Sequence, residues 1–534
     1  MAIINGTNGN DGSAFYGGAG DDFISLFDGQ DFGIGGGGID TILGGNGDDT
    51  FYGVSDFGFF APGERYDGGS GYDQMWLAGF YSDESSSSSH YINLNSITIS
   101  SVEEFRIGTD AGTVSASIDA NLLTFSKVQG YVFADVFQRA TFTVNVTGAN
   151  TNLSGLTVTG FSEQASSHAF YIQGRSVADL ITAPNAEGIR IYGNAGNDTL
   201  IGGTGKDVNF GGDDNDLMFG LDNDDILIGG SGNDTMYGDA GNDTMYGQNG
   251  FDFVAYGGLG VGGVTVDLSS NTSSGIAGVD FIGTDIEGVI GTSSNDNIYG
   301  RDQNNELRGG DGDDDIRATG SAVDGGGIIN SDTLSGGDGN DLLRGSDGND
   351  DIQGGDGDDF LRGNGGNDTL NGNSGNDLIS YLYATGGVTV DLQANSASGA
   401  DGNDVLISIE QVSGSNFDDS LSGSTFNEQF FGNIGDDTID GRGGNDTVYA
   451  GSGFNTVFGG SGNDVIYGGN DSEVLHGSTS SNGNFATTDQ DSINGYSGDD
   501  AIYGSNGNDT LRGGDDNDFI RGHRGNDIID GGNG

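Results

Sequence analysis

From Gly193 the chain runs in an unbroken nine-residue period. Glycine restarts the unit at Gly202, Gly211, Gly220, Gly229, Gly238 and Gly247. Aspartate stands at the sixth position each time, and the eighth position reads Leu200, Asn209, Met218, Leu227, Met236, Met245 and Val254, with one polar exception. A period of nine with a fixed glycine, a fixed acid and a fixed apolar residue leaves little choice of fold. The x-apolar-x triplet is a short strand whose central side chain points inward, and the glycine-rich stretch before it is a turn. One unit cannot bury its own apolar face, so successive units must stack into a common core. No convincing amphipathic helix stands out, and the expected class is all-β, a repetitive solenoid built in arrays with β-rich segments between them.

Four arrays share this period. The first occupies 1–76, with units from Gly17, Leu26, Gly35 and Gly44 and a separate one from Gly68. The second spans 191–255, the third 291–380 and the fourth 414–534. The unit at Ala318 has lost its motif, and Asn305, Glu428, Asn455, Glu473 and Asn482 stand where aspartate is expected. Between the arrays lie an insert at 77–190 and two connectors, 256–290 and 381–413. The connectors are copies: Gly262-Gly263-Val264-Thr265-Val266-Asp267-Leu268 matches Gly386-Gly387-Val388-Thr389-Val390-Asp391-Leu392. In the insert, Thr141-Phe142-Thr143-Val144-Asn145-Val146 and Leu156-Thr157-Val158-Thr159 alternate with period two and read as strands.

The residue types in the turn point to a hard cation. Glycine at positions one, two and four is expected to let the backbone take positive φ and aim carbonyls inward. Aspartate at position six adds an anionic oxygen. Calcium takes six to eight oxygens in flexible geometry, whereas magnesium demands a smaller, stricter octahedron. Burying one Leu or Ile per unit returns about 1.5–3 kcal/mol, well short of the entropy of ordering nine residues. Aspartates on adjacent turns repel one another within a Debye length of about 8 Å. The chain holds 81 acidic against 16 basic residues, a formal charge of −65, which about thirty divalent ions would nearly cancel. Folding is therefore expected to be coupled to calcium.

This glycine-glycine-x-glycine-x-aspartate-x-apolar-x unit resembles the repeat of the RTX (haemolysin-type calcium-binding repeat) family. The resemblance implies a parallel β-roll or β-helix with two turns and two strands per eighteen-residue coil and calcium between successive turns. It implies that the sixth-position aspartates are ligands. These are Asp22, Asp40, Asp49 and Asp73 in the first array, then Asp198, Asp207, Asp216, Asp225, Asp234, Asp243 and Asp252 in the second. The third supplies Asp296, Asp314, Asp332, Asp341, Asp350, Asp359, Asp368 and Asp377. The fourth supplies Asp419, Asp437, Asp446, Asp464, Asp491, Asp500, Asp509, Asp518 and Asp527. Turn carbonyls complete each shell. The resemblance further implies a bacterial protein exported unfolded by type I secretion that folds outside the cell, in the extracellular space or on the surface. The start, Met1-Ala2-Ile3-Ile4, lacks a basic and apolar secretory signal, and the chain stops within a repeat at Gly534, without the usual non-repetitive secretion signal.

Other functions find less support. The charge argues against nucleic acid and anionic lipid as partners. There are no cysteines, hence neither disulfides nor thiolate zinc sites. No apolar run approaches the roughly 18 residues of a membrane span. His90, His168, His476 and His523 are scattered, and no H-E-x-x-H, G-x-S-x-G or phosphate-binding P-loop occurs. Glu103, Glu104, Asp110, Asp119, Asp135 and Glu163 of the insert are the carboxylates a glycosidase would draw on, and are read as ordinary solvated acids. Tyr237, Tyr246, Tyr299, Tyr449, Tyr467 and Tyr503 recur at position nine, where they are expected to cover their neighbours rather than to form a sugar platform. The expected function is that of a secreted, non-enzymatic calcium-binding protein with a structural, adhesive or surface-layer role, its partners being calcium ions and either cell-surface polysaccharide or further copies of itself. The alternatives are a carbohydrate-active or glycan-binding protein working through 77–190, and a fragment of a larger RTX toxin or enzyme.

Overall fold

The structure is a computed structural model that describes residues 168–534, except 259, 261, 321–328 and 479–488. Before 168 it describes 3–6, 15–17, 21–27, 29–34, 41–54, 65–70, 74–79, 89–93, 98–100, 104–109, 113–119, 127–132, 139–146, 148–154 and 156–159. Two compact units emerge, Met1–Tyr256 with Ala277–Ile286, and Gly257–Ile276 with Glu287–Gly534. Each is a parallel β-solenoid, and no helix occurs among the described residues.

The nine-residue period sets the architecture. Positions seven to nine form a strand, and alternate units feed two different parallel sheets, so that residues eighteen apart pair. In the first unit Val208, Asn209 and Phe210 pair with Ile226, Leu227 and Ile228, while Leu200 pairs with Met218 and Met218 with Met236. Position eight lies on the inner face of the pleat. All seven of these residues from Leu200 to Val254 are fully buried, Asn209 included. That asparagine fits by donating its side-chain amide to the carbonyl of Phe219 at 3.2 Å.

The insert continues the same construction without the nonapeptide. Strands Ser89–Asn93, Thr113–Asp119, Arg139–Asn145, His168–Gln173 and Ile189–Ala195 form one parallel run. Gln74–Gly79, Glu104–Thr109, Lys127–Val132 and Thr157–Thr159 form another. Phe142, Val144, Phe170 and Ile172 supply its buried side chains.

The duplicated connectors fold alike, and here the chain departs from parallel pairing. Val264–Asp267 runs antiparallel to Thr272–Gly275, and Val388–Asp391 to Ser396–Gly399, with Val264 opposite Gly275 and Val388 opposite Gly399. Asn271 and Asn395 close the two hairpins at φ 61° and 55°, a left-handed conformation that asparagine tolerates better than most residues.

In the second unit, apart from the connector, the pairing interval lengthens at two points. Asp314 is linked to Asp341, and Asp464 to Asp491, each 27 residues on. Pairing then returns to the eighteen-residue interval.

Candidate metal sites along the turns

The aspartates form ladders. Along most of each array the backbone N–H of the sixth-position residue donates to Oδ1 of its counterpart one coil later. Asp198 donates to Asp216, Asp216 to Asp234 and Asp234 to Asp252, each at 2.8 Å. On the other edge Asp207 donates to Asp225 and Asp225 to Asp243, each at 2.7 Å. The second unit repeats the pattern from Asp296 through Asp314, Asp341 and Asp359 to Asp377. Every predicted ligand from Asp198 to Asp509 is at most 4% exposed. Asp22 and Asp49 are likewise buried, Asp518 and Asp527 are half-buried, and Asp40 and Asp73 lie outside the described residues.

One carboxylate oxygen is thus satisfied, but the other often is not. Oδ2 of Asp198, Asp216, Asp225, Asp234, Asp243, Asp314, Asp341 and Asp359 is buried without a hydrogen-bond partner. A buried oxygen anion without a donor is costly unless a cation faces it. Burial accordingly pushes the carboxyls up, Asp225 to about 9 and Asp314 to about 8. For Asp225 the N–H of Asp207 offsets part of that rise, and the charges of Asp207 and Asp243 add to it.

The first glycine of the unit makes room for this oxygen. A methyl group on Gly193 would overlap Asp198 Oδ2 and the carbonyl oxygen of Gly211, and one on Gly229 would overlap Asp234 Oδ2. Positive φ is not the reason for glycine here. It occurs at positions two and four, as in Gly230 (124°) and Gly232 (132°), and not at position one. The expected left-handed conformation thus holds for two of the three glycines, and the first is required by the close approach of ligand oxygens.

Asn305 probes the same cradle with a nitrogen. Its Nδ2 donates to the carbonyls of Arg301 (3.0 Å), Gln303 (2.6 Å) and Ala318 (3.1 Å) and to Asp332 Oδ1 (3.0 Å). A methyl on Gly300 would meet this amide and the Ala318 carbonyl, as one on Gly193 would meet Asp198 Oδ2 and the Gly211 carbonyl. Where asparagine stands, an N–H donor satisfies converging oxygens. Where aspartate stands, another oxygen joins them, and a positive charge is needed. Among the described residues no three His, Cys, Asp or Glu side chains converge on one point. An ion would therefore take one or two carboxylates and draw the rest of its shell from carbonyls. Such an all-oxygen set suits calcium.

The ladders include residues that the sequence period does not reveal. Asp280 accepts from Asp243 and Asp404 from Asp368, each at 3.0 Å, and Glu410 accepts from Asp377. They stand 37, 36 and 33 residues on, since the hairpins interrupt the count. A second ladder, also missed, runs in the opposite sense at position five. Asn233 donates to Asn215 and Asp358 to Asn340, each at 2.7 Å, and Asn376 to Asp358 at 3.0 Å, each donor lying one coil after its acceptor. The recurring Asn-Asp and Asp-Asp pairs were its signal.

The aromatic rows cover themselves. Tyr449 stacks on Phe431 and Tyr467 with centroids 5.1 and 4.9 Å apart, and Tyr237 on Phe219 at 4.8 Å, so these ring faces are occupied by one another. His476 is sandwiched between Phe458 and Tyr503, and its burial lowers its pKa. The side chains of the acids singled out in the insert lie outside those described. No described helix is long and apolar enough to cross a membrane.

Compared with known protein families, the chain matches the RTX calcium-binding nonapeptide repeat at 27–58, 190–218, 219–254, 290–320, 327–361, 344–379, 413–448, 422–457, 449–482, 485–511 and 503–534, more than half of its length. No individual curated protein matches it. With its nonapeptide arrays wound into parallel solenoids, the chain belongs to the RTX calcium-binding repeat family.

Proposed function

We propose that this is a secreted, non-enzymatic protein whose solenoid forms when extracellular calcium binds, and that the folded solenoid serves a structural, adhesive or surface-layer role. The observation that carries this reading is the row of buried aspartate oxygens without hydrogen-bond partners, from Asp198 to Asp359. Asp216, Asp225, Asp234 and their counterparts would hold the ions together with turn carbonyls. A bound cation supplies charge neutralisation there, and its binding energy is folding energy. A bacterial cytoplasm poor in calcium would keep the chain unfolded for export by type I secretion. The acidic surface then favours calcium-bridged contact with anionic surface polysaccharide or with other copies of the chain.

The test is circular dichroism during a calcium titration of chelated protein, with magnesium as control and bound metal counted in parallel. The expected result is a β-sheet signal that rises with calcium and not with magnesium. A full β signal after exhaustive chelation at neutral pH would refute the coupling.

A further inference from the structure

The turns are of two kinds, distinguished at the residue after the first glycine. In one kind this residue has positive φ, as at Asn194 (81°), Gly230 (124°), Gly337 (130°), Gly355 (132°) and Asn433 (73°). The acids of these turns, Asp198, Asp234, Asp341, Asp359 and Asp437, all keep a buried Oδ2 with no hydrogen-bond partner. These turns are open.

In the other kind the second residue is not at positive φ, and its N–H donates to Oδ2 of its own turn's acid. Gly203 donates to Asp207 at 2.8 Å, Thr292 to Asp296 at 2.6 Å and Ser346 to Asp350 at 2.7 Å. Ser415 donates to Asp419 at 2.6 Å and Ser505 to Asp509 at 2.7 Å. The hydroxyls add to this: Ser415 Oγ donates to Asp419 Oδ1 at 2.7 Å and Thr292 Oγ1 to Asp296 Oδ1 at 3.0 Å. These turns are closed. Arg175 closes the turn at Asp179 most fully, through its N–H to Oδ2 and its Nε to Oδ1, both at 2.7 Å, so that a guanidinium supplies the positive charge.

Placement explains the difference. Closed turns occur where a run of repeats begins or resumes. Thr292 and Ser415 follow the connectors, Gly203 follows the insert, and Ser346 and Ser505 follow the two points where the ladder interval lengthens to 27. Within a run, open turns such as those at Gly230 and Gly355 carry their strand through their first three residues and pair them with the coil before, Gly230 with Gly212 and Gly355 with Gly337, whereas Asn194 pairs with the coil after. A first turn has no such neighbour, and its N–H bends onto its own acid, as serine and threonine favour in turns. Several strand lengths agree with this. Ile226–Ser231 and Asp351–Asp356 run on through open turns, whereas Thr199–Ile201, Leu342–Arg344 and Ala501–Tyr503 stop at closed ones; Gln429–Phe431 also stops, although the turn at Asn433 after it is open. Glu428, Glu473 and Asp491 fit neither kind. Each glutamate accepts the second residue's N–H with one oxygen and leaves the other without a partner, and Asp491 keeps a buried Oδ2 without a partner although Ser478 is not at positive φ.

We propose that calcium enters only the open turns, and that the turns at Asp207, Asp296, Asp350, Asp419 and Asp509 are ion-free starting turns from which each ladder is laid. The inward N–H occupies the acid oxygen and presents the positive end of its dipole where a cation would approach. The assignment rests on the calcium reading above and adds to it which acids bind.

The test counts calcium per full-length chain by atomic spectroscopy after equilibrium dialysis, for two fourfold variants. One carries Asp296→Asn, Asp350→Asn, Asp419→Asn and Asp509→Asn. The other carries Asp314→Asn, Asp341→Asn, Asp359→Asn and Asp437→Asn. The open-turn variant is expected to lose about four ions or more, one for each ligand removed, and the closed-turn variant none. Equal losses in the two would overturn the sorting while leaving calcium binding intact. A wild-type chain that takes up no calcium would sink the functional reading, and the sorting with it. Should the closed-turn variant lack β-sheet signal at saturating calcium, its four single variants are counted instead, and a loss of one ion in each overturns the proposal.

Discussion

Replacing Asp225 with asparagine is expected to shift stability in opposite directions with and without calcium. The side chain is 2% exposed, and burial lifts its carboxyl from 3.8 to about 9. A group whose pKa is raised by folding contributes its full stability below the unfolded value, near pH 4, and loses it as pH rises through the folded value. Without calcium, therefore, the turn is weakened progressively between about pH 4 and pH 9. At pH 7.5 the penalty relative to a side chain that never ionises spans about 3.7 pH units, or about 5 kcal/mol at 1.36 kcal/mol per unit. Asparagine escapes this penalty and retains an oxygen for the N–H of Asp207. In chelator, peptide-resolved hydrogen exchange over 217–252 followed upward from pH 4, where protonated carboxyls carry no buried charge, should show protection persisting to higher pH in Asp225→Asn than in wild type, with the gap closing toward pH 4. In saturating calcium the order should reverse, because an amide oxygen is a weaker ligand than a carboxylate. A variant less protected than wild type in both conditions would refute the idea that the buried charge, rather than the side chain's shape, is what the cation offsets.

Gly229→Ala should impair calcium binding at its turn although no left-handed φ is involved, because the added methyl meets Asp234 Oδ2. Gly258→Ala, at φ 96° with nothing near the added atom, should cost only the roughly 1–2 kcal/mol of a left-handed residue and leave the metal count unchanged. Asp234→Ala, in mid-array, should reduce the calcium-induced circular dichroism more than Asp527→Ala in the last coil, because stability in a stacked array is transmitted between neighbours. Leu227→Ala removes a fully buried position-eight side chain and should cost about 2–5 kcal/mol in urea melts at saturating calcium.

Much of this was legible in the sequence because a nine-residue period fixes both a strand and a turn. The inward residues, from Leu200 to Val254, followed from position alone. The stacking partners of the aspartates followed from the family resemblance, which implies two units per coil. What escaped the sequence was whatever depended on contacts between coils. The need for the first glycine comes from the acid oxygen and the next coil's carbonyl, neither adjacent in sequence. Asp280, Asp404 and Glu410 joined the ladders through hairpins that break the count. The difference between Asp350 and Asp359 lies in one peptide orientation, and only the serine at Ser346 hints at it. The insert's alternating Val, Thr and Phe announced strands, but not that they pair in parallel like the repeats.

The lengthened intervals in the second unit carry a further consequence. Between Asp314 and Asp341, and again between Asp464 and Asp491, nine additional residues pass without either ladder changing its kind of partner. Progress along the axis, about 4.8 Å per coil, is therefore counted in rungs rather than in amino acids. Cargo spliced in at such a point would leave everything beyond it at its original height, making these two points the natural places to graft foreign peptides onto the protein.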